Sequence, residues 1–572
     1  LRPRLLVMSR PDWPKLTCRV TTALLTSLAT LVTNKLSPAA QAQIIPDNTL
    51  PVNSTVPDGC TVCSITGGTL ADDGQPLFHS FQQFSVPTGG AALFQNDPAL
   101  ATVITRITGE LPSDIDGVIS ALGNADLFLL NPYGIIFGPN AVLQVPGSFV
   151  ASSADSVVFA DDLTFSAATP NAPPLLTVST PTGLQMGTTP GEIRVEGPGL
   201  FPPTLPGLSV SEGNTLALIG GDVTLVGGTV SASSGRLEIG SAAVGTVQLN
   251  PMADIDLEYD TVQTVGALTL SQGALLNTSG AGAGDIDLQG QTVLVEEGSQ
   301  ILAVTQGRLP GGELSITATD SVTVEGASAN GQIISRLSTD TVADGRGGDL
   351  TIDTRQLQVR DRGLISASTT DSGAGGNLTL NVTESIELSG LGFETLQTLL
   401  LNAIQGNLDI SAAESGLLAG SDGAGAAGRL TIDTARLHLQ DGALISTTTS
   451  GDGAGGDTFI TATESVDIIG SIILTGTLQG TTKNAGNLTL NTQNLVLSDG
   501  GLLQTFTFGQ GNGGDLIVNA TESVVLLETP VGAIAPTGIF ANSIFGTGAG
   551  GNIEINTQQL TTADGAQIGN QT

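Results

Sequence analysis

Large aromatic side chains are scarce in this 572-residue chain: one Trp, two Tyr and 16 Phe amount to 3% of it. That scarcity argues against a β-propeller, whose four-stranded blades usually rest on aromatic anchors. Positive charge is scarce as well, with 18 Lys and Arg against 53 Asp and Glu and a net charge of −35. A nucleic-acid partner is excluded, because such proteins need a basic patch to neutralise phosphates. An anionic lipid surface is excluded on the same ground. Histidine occurs only at His79 and His438, in distant segments, so no Ser-His-Asp or Cys-His arrangement can be assembled. The apolar run from Val20 to Val32 is the best candidate for a membrane span, and it falls short of the ~20 residues a spanning helix needs.

Cysteine is nearly absent too. Beyond Cys18, only Cys60 and Cys63 occur, as Cys-Thr-Val-Cys. This is half of a structural zinc site with no His near enough to complete it, and it lacks the βαβ context of a thioredoxin-type redox pair. A small local disulfide between Cys60 and Cys63 is expected over free thiols. No metal or cofactor is expected.

Residues 1–42 read as an export signal. Arg2, Arg4, Arg10, Lys15 and Arg19 precede the apolar run, and Ala40-Gln41-Ala42 supplies a small-residue cleavage site. Met8 would give a shorter basic region, so the true start is open.

What the chain has in abundance is glycine, 76 residues, with many Val, Leu, Ile, Thr, Asn and Ser, a composition suited to short strands and tight turns. Glycine also sets a period. Gly284 and Gly312, Gly348 and Gly376, Gly428 and Gly456, and Gly486 and Gly514 are pairs in which each member lies 28 residues from the other. Intervals between pairs vary, so insertions collect at one place in the repeat. Strict alternation, as in Leu488-Thr489-Leu490, marks strands with one buried face. A unit of about three such strands cannot bury its apolar face alone and must stack on its neighbours. The fold expected is an all-β, right-handed parallel β-helix, some 20 coils at about 4.8 Å and so on the order of 100 Å long.

Within the 376–428 interval, Phe393, Leu396, Leu399, Leu400 and Ile404 have helical spacing. A short helix packed on the rod is expected there, with a partner-binding appendage as the alternative. The chain stops at Asp564-Gly565-Ala566-Gln567-Ile568, inside a repeat that elsewhere runs on. Since solenoids need caps, truncation and an exposed last coil are expected.

Repeated acids invite an enzymatic reading. Asp320, Glu384, Glu464 and Glu522 share one repeat position, where stacked carboxylates could raise one another's pKa. A repeated residue is more economically a repeated surface turn, and the chain is expected not to be an enzyme. Asp457 and Asp515 follow Gly pairs but recur too rarely for a calcium-binding β-roll. Gly423-Ala424-Gly425 lacks the Lys of a phosphate loop.

One segment stands apart. Leu127 to Phe137 reads Leu-Phe-Leu-Leu-Asn-Pro-Tyr-Gly-Ile-Ile-Phe, two apolar strands around a turn. Asn131 bonds its own backbone, Pro132 presets φ, and Gly134 supplies a permissive dihedral. Taken alone this is a tight turn between core strands. Around it lie Phe78-His79-Ser80-Phe81, Ile104-Thr105-Arg106-Ile107-Thr108-Gly109, Asp114-Ile115-Asp116-Gly117 and Ser148-Phe149-Val150-Ala151, in that order. Ten of the 16 Phe fall between Phe78 and Phe201.

This succession resembles the secretion domain of the filamentous haemagglutinin family, the passengers of two-partner secretion. Where that family carries Asn-Pro-Asn-Gly-Ile, this chain has Asn131, Pro132, Tyr133, Gly134 and Ile135. The family's upstream motif, close to Asn-Pro-Asn-Leu, corresponds to Asn96, Asp97, Pro98, Ala99 and Leu100. The resemblance implies a signal peptide (1–42), a β-rich secretion and capping domain (43–170), further coils with insertions (171–281) and repeated coils (282–572). It implies export through the periplasm, recognition by the POTRA domains of an outer-membrane transporter, and an adhesive or structural role at the cell surface toward a host cell or polysaccharide. A β-helical polysaccharide-active enzyme and a surface-layer component are the alternatives.

Overall fold

The protein is described from a computed structural model that covers residues 42–570 apart from 72–73, 161–162, 171–179, 201–206, 251–254, 406–414, 479 and 545. The signal-peptide segment lies outside the described residues. The described residues form one compact unit.

That unit is a right-handed parallel β-helix with three faces. The first face begins at Leu77–Ser85 and runs through Thr102–Ile107, Asp126–Leu130, Phe149–Ser152, Thr215–Gly220 and Arg236–Ser241, each strand parallel to the last. From Asp285–Val295 onward, first and second faces fuse into single strands of 11 or 12 residues. Each fused strand bends at a register shift, as between Ala318 and Ser321. Short strands such as Leu364–Ser366 and Leu444–Ser446 build the third face.

Alternation fills the interior. In Leu488–Ser498, Leu488, Leu490, Leu495 and Leu497 are fully buried while Thr489 and Asn491 point outward. Glycine sets the coil's corner. A Cβ on Gly376 would run into the carbonyl oxygen of Gly348, one on Gly428 into that of Gly376, and one on Gly514 into that of Gly486. The 28-residue period is therefore a steric column of one coil per 28 residues. The Asp or Asn after it ties coils together: Asp349 Oδ1 accepts from the Asn377 N–H at 2.7 Å, and Asn487 Oδ1 from the Asp515 N–H at 2.9 Å. Asp457 does the same for Asn487 at 2.9 Å. At the next corner Asp441 and Gly442 both adopt left-handed φ, 56° and 81°, the combination of a type I′ turn.

Roughly fifteen coils at about 4.8 Å give a stack on the order of 70 Å, shorter than expected. Insertions explain the difference. One of them, the helix Phe393–Ile404, packs Leu396 against the third face beside Leu444, Ile472 and Leu502. The others, Ser156–Phe159, Thr164–Ser166, Pro181–Met186, Gly245–Leu249 and Leu257–Glu258, form an antiparallel side sheet. It covers the outward residues of the first face: Phe78, Ile104, Phe128, Val150 and Ala217 pack against Val157, Phe159, Phe165 and Val247. This second core takes Phe78, Phe128, Phe159 and Phe165, while Phe81, Phe84, Phe94, Phe137 and Phe149 fill the interior of the first coils. Phe165 lies 4.8 Å from Phe78, centroid to centroid.

At the far end the ladder finishes at Ile553–Asn556, Gln559–Thr562 and Gln567–Gly569, where Leu560 is 49% exposed. Among the described residues, no helix is long and apolar enough to cross a membrane.

Candidate functional site

Asn131 closes the first-face strand Asp126–Leu130 and, four residues on, Ile135–Phe137 opens the second face. The side chain of Asn131 is completely buried. Its Nδ2 donates to Leu111 O and Ser113 Oγ, both at 3.0 Å, and its Oδ1 accepts the Tyr133 N–H at 3.0 Å. Its carbonyl accepts the Gly134 N–H at 2.9 Å, closing the turn. Gly134 has a φ of +102°, and a Cβ there would lie 2.6 Å from Glu192 O. The next coil bonds directly to the turn through Gly191 N–H to Pro132 O at 2.8 Å and Ile135 N–H to Glu192 O at 3.0 Å. Tyr133 is half exposed and points away from this network.

Asn96 does similar work elsewhere. It is buried, donates from Nδ2 to Leu122 O at 2.8 Å, and accepts the Leu122 N–H at 2.9 Å. Asp97 Oδ1 accepts the Ala99 N–H at 2.9 Å, its carbonyl accepts the Leu100 N–H at 3.0 Å, and Pro98 O backs onto Gly123. The two motifs do not converge. Asn96 sits at the corner from third to first face and Asn131 at the corner from first to second, each stapling one coil to its neighbour.

The cap over the first coil holds Cys60 and Cys63, joined as a disulfide with Cα atoms 5.2 Å apart. Cys63 is fully buried, and Cys60 O accepts the Ala42 N–H at 3.1 Å. His79 lies buried with Nδ1 2.9 Å from Ser54 Oγ, and burial pushes its pKa down to about 4. His438 is 3.3 Å from Gln440 on the repeated coils, far from His79 in the stack.

Two ionic centres escaped the sequence reading. Arg106 is 2% exposed. Its Nε donates to Ser80 Oγ at 2.9 Å, Nη1 to Ser166 O at 2.6 Å and Nη2 to Thr49 Oγ1 at 2.8 Å, and its guanidinium lies 4.2 Å above the Phe165 ring. Burial lowers its pKa to about 10, opposed by the nearby charge of Asp47. Burial works to raise Asp47, but hydroxyl bonds from Thr49, Thr108 and Ser80 outweigh it and hold that carboxyl below the usual range. Arg106 thus ties cap, first face and side sheet together. The signal was a lone cation inside the apolar strand Ile104-Thr105-Arg106-Ile107.

The second centre lies where the side sheet ends. Arg236 bonds Glu238 at 3.0 Å, Asp256 at 3.2 Å, Asp285 at 2.9 Å and Asp287 at 2.8 Å, beside a cleft of about 520 Å³. Glu238 is 1% exposed, and burial together with Asp287 raises it to about 9; burial raises Asp287 to about 6. Sequence pattern could not show this group, because Asp256 comes from an insertion.

The repeated acids do not stack on one another. Arg355 stands between Asp320 and Glu384, and Arg436 between Glu384 and Glu464, the last pair at 3.0 Å. Alternate coils carry opposite charge, so this corner is an ion-pair ladder. Among the described residues no cluster of His, Cys, Asp and Glu is arranged to hold a metal ion.

A parallel β-helix with a capped first coil and a side sheet defines a β-solenoid with an N-terminal cap. Residues 42–288 match the family model of the TPS secretion domain, and this part of the chain is a secretion domain of that kind. Among solved structures it is similar to the HMW1 secretion domain from Haemophilus influenzae, at 12% identity and a TM-score of 0.41, over 93% of this chain and 100% of that one. It is similar also to a filamentous hemagglutinin secretion domain, at 14% identity and a TM-score of 0.36, over 59% of this chain and 99% of that one. No curated protein matches it by sequence. The family implies export across the outer membrane with a dedicated transporter as partner.

Proposed function

We propose that this exoprotein is an adhesin or structural component of the cell surface. Residues 1–42 serve as the signal peptide, and the POTRA domains of the transporter recognise the secretion domain in the periplasm. An extended passenger segment adds a strand to a POTRA sheet edge, so that backbone bonds give affinity and alternate side chains give register. Coils then stack outside the cell on the N-terminal cap, and that stacking draws the chain outward. In this scheme Asn131, Pro132, Tyr133, Gly134 and Ile135, with Asn96, Asp97, Pro98, Ala99 and Leu100, shape the template and contact no ligand. The observation that carries the reading is the Asn131 side chain, whose hydrogen-bonding groups are all engaged within the fold. We place the end of the secretion domain at the Arg236 centre, where the side sheet stops. Co-expression with the transporter tests the scheme: replacing Asn131 or Gly134 should leave the chain in the periplasm.

A polysaccharide-active enzyme is the second reading, favoured by the charged cleft lined by Arg236, Glu238 and Asp287. Release of products from acidic polysaccharides, lost in Asp287→Asn, would support it. Against it stands the burial of Glu238 and the bonding of Arg236 to four carboxylates at once.

A further inference from the structure

The outward residues of the first face form continuous columns along the stack. One runs Phe78, Ile104, Phe128, Val150, Ala217, then Glu238 and Asp287. As far as Ala217 the side sheet covers this column. Beyond Asp287 the column is half-buried to exposed, and it changes character to Ser315, Thr351, Thr379, Thr431, Phe459, Thr489 and Ile517. A parallel column two residues along carries Thr317, Asp353, Asn381, Asp433, Thr461, Asn491 and Asn519. The result is a flat strip of hydroxyl and amide groups repeating at about 4.8 Å.

Phe459 breaks the pattern. It is 37% exposed, the one exposed phenylalanine among the described residues, and occupies a position where the flanking coils have Thr431 and Thr489. The Arg429 guanidinium lies over its ring, 5.2 Å from the centroid, and holds the ring in place while part of it stays exposed. An exposed ring among fixed donors and acceptors fits a sugar polymer, whose C–H faces are apolar and whose rims are hydroxyls. Charge selects among such polymers. Asp353 and Asp433 stand on the strip, Arg429 is its nearest cation, and the chain as a whole carries −35, so a polyanion is repelled.

Resting on the adhesin reading, the geometry points to the uncovered first face around Phe459 as the surface that binds an uncharged, extended polysaccharide. The chain lies along the columns, one sugar ring on Phe459 and its hydroxyls bonded to Thr431, Thr461, Thr489 and Asn491. The test is a binding isotherm of the full secreted chain on insoluble cellulose and on soluble mixed-linkage β-glucan, with alginate as the acidic control. Binding to the neutral glucans and not to alginate is expected. Phe459→Ala should weaken it at least tenfold at unchanged thermal stability, Phe459→Tyr should retain it, and Leu309→Ala, exposed away from this face, should match the parent. Equal binding by Phe459→Ala would overturn the surface assignment while leaving glycan adhesion standing. Failure of the parent chain to bind either glucan, or preference for alginate, would overturn the ligand class itself.

Discussion

The amide nitrogen of Asn131 donates to the hydroxyl of Ser113 at 3.0 Å, joining the turn of one coil to the second-face strand of the coil before it. The bond is buried, and the same amide also holds Leu111 O. Asn131→Ala would leave that carbonyl and the Tyr133 N–H without their partner, each at a cost of about 1–3 kcal/mol. Urea unfolding of the secretion domain within the full chain should show its transition shifted to lower denaturant, with the coils beyond residue 350 unaffected. Asn131→Asp, which keeps the acceptor for the Tyr133 N–H but sets a buried carboxylate against Leu111 O, should be at least as destabilising as Asn131→Ala.

Gly376→Ala tests the glycine column. Its Cβ would strike Gly348 O, backbone that cannot move without separating two coils. Limited proteolysis should open a new cleavage site near residue 376, and the stack on either side should remain resistant. Gly428, the next position in the column, should behave alike.

The Arg236 centre carries a pH dependence whose sign follows from its raised carboxyls. A group whose folded pKa is raised stabilises the fold fully below its unfolded value and ceases to as pH rises through the folded one. For Asp287 and Glu238 those folded values are about 6 and about 9. Stability should therefore fall as pH is raised from the ordinary carboxyl range near 4, through about 6 for Asp287 and on to about 9 for Glu238. Glu238→Gln should remove the alkaline part of the fall, leaving stability nearly flat between about pH 6 and about pH 9, as read by thermal unfolding at a series of pH values.

Arg355 bridges Asp320 and Glu384 on an exposed corner. Such pairs are screened by solvent and salt. Arg355→Gln should lower the melting temperature slightly at low ionic strength and not measurably in molar salt. A large, salt-independent loss would show that the ladder does more than neutralise the column.

These particulars show what was legible beforehand. The β-helix could be read because stacking imposes a repeat on the sequence: Gly376 recurs at Gly428 for a steric reason, and Leu488 alternates with Thr489 because one side faces the core. The helix at Phe393–Ile404 showed itself by a different period. The side sheet did not, since Ser156–Phe159 and Gly245–Leu249 pair across an interval with no repeat to mark it. Carboxylate positions were legible while their neighbours were not: Glu384 and Glu464 share a place in the repeat, but Arg436 enters between them from the alternate half. Asn131 was singled out correctly as a turn former, yet its bonds to Leu111 and Ser113 depend on a coil register that sequence alone does not supply.

The most direct test of the account is the partition of the chain between periplasm and culture medium in cells that make the outer-membrane transporter, comparing the parent with Asn131→Ala and Gly134→Val. The account expects the parent in the medium at full length and both variants held back and degraded in the periplasm. Variants exported as efficiently as the parent would contradict it.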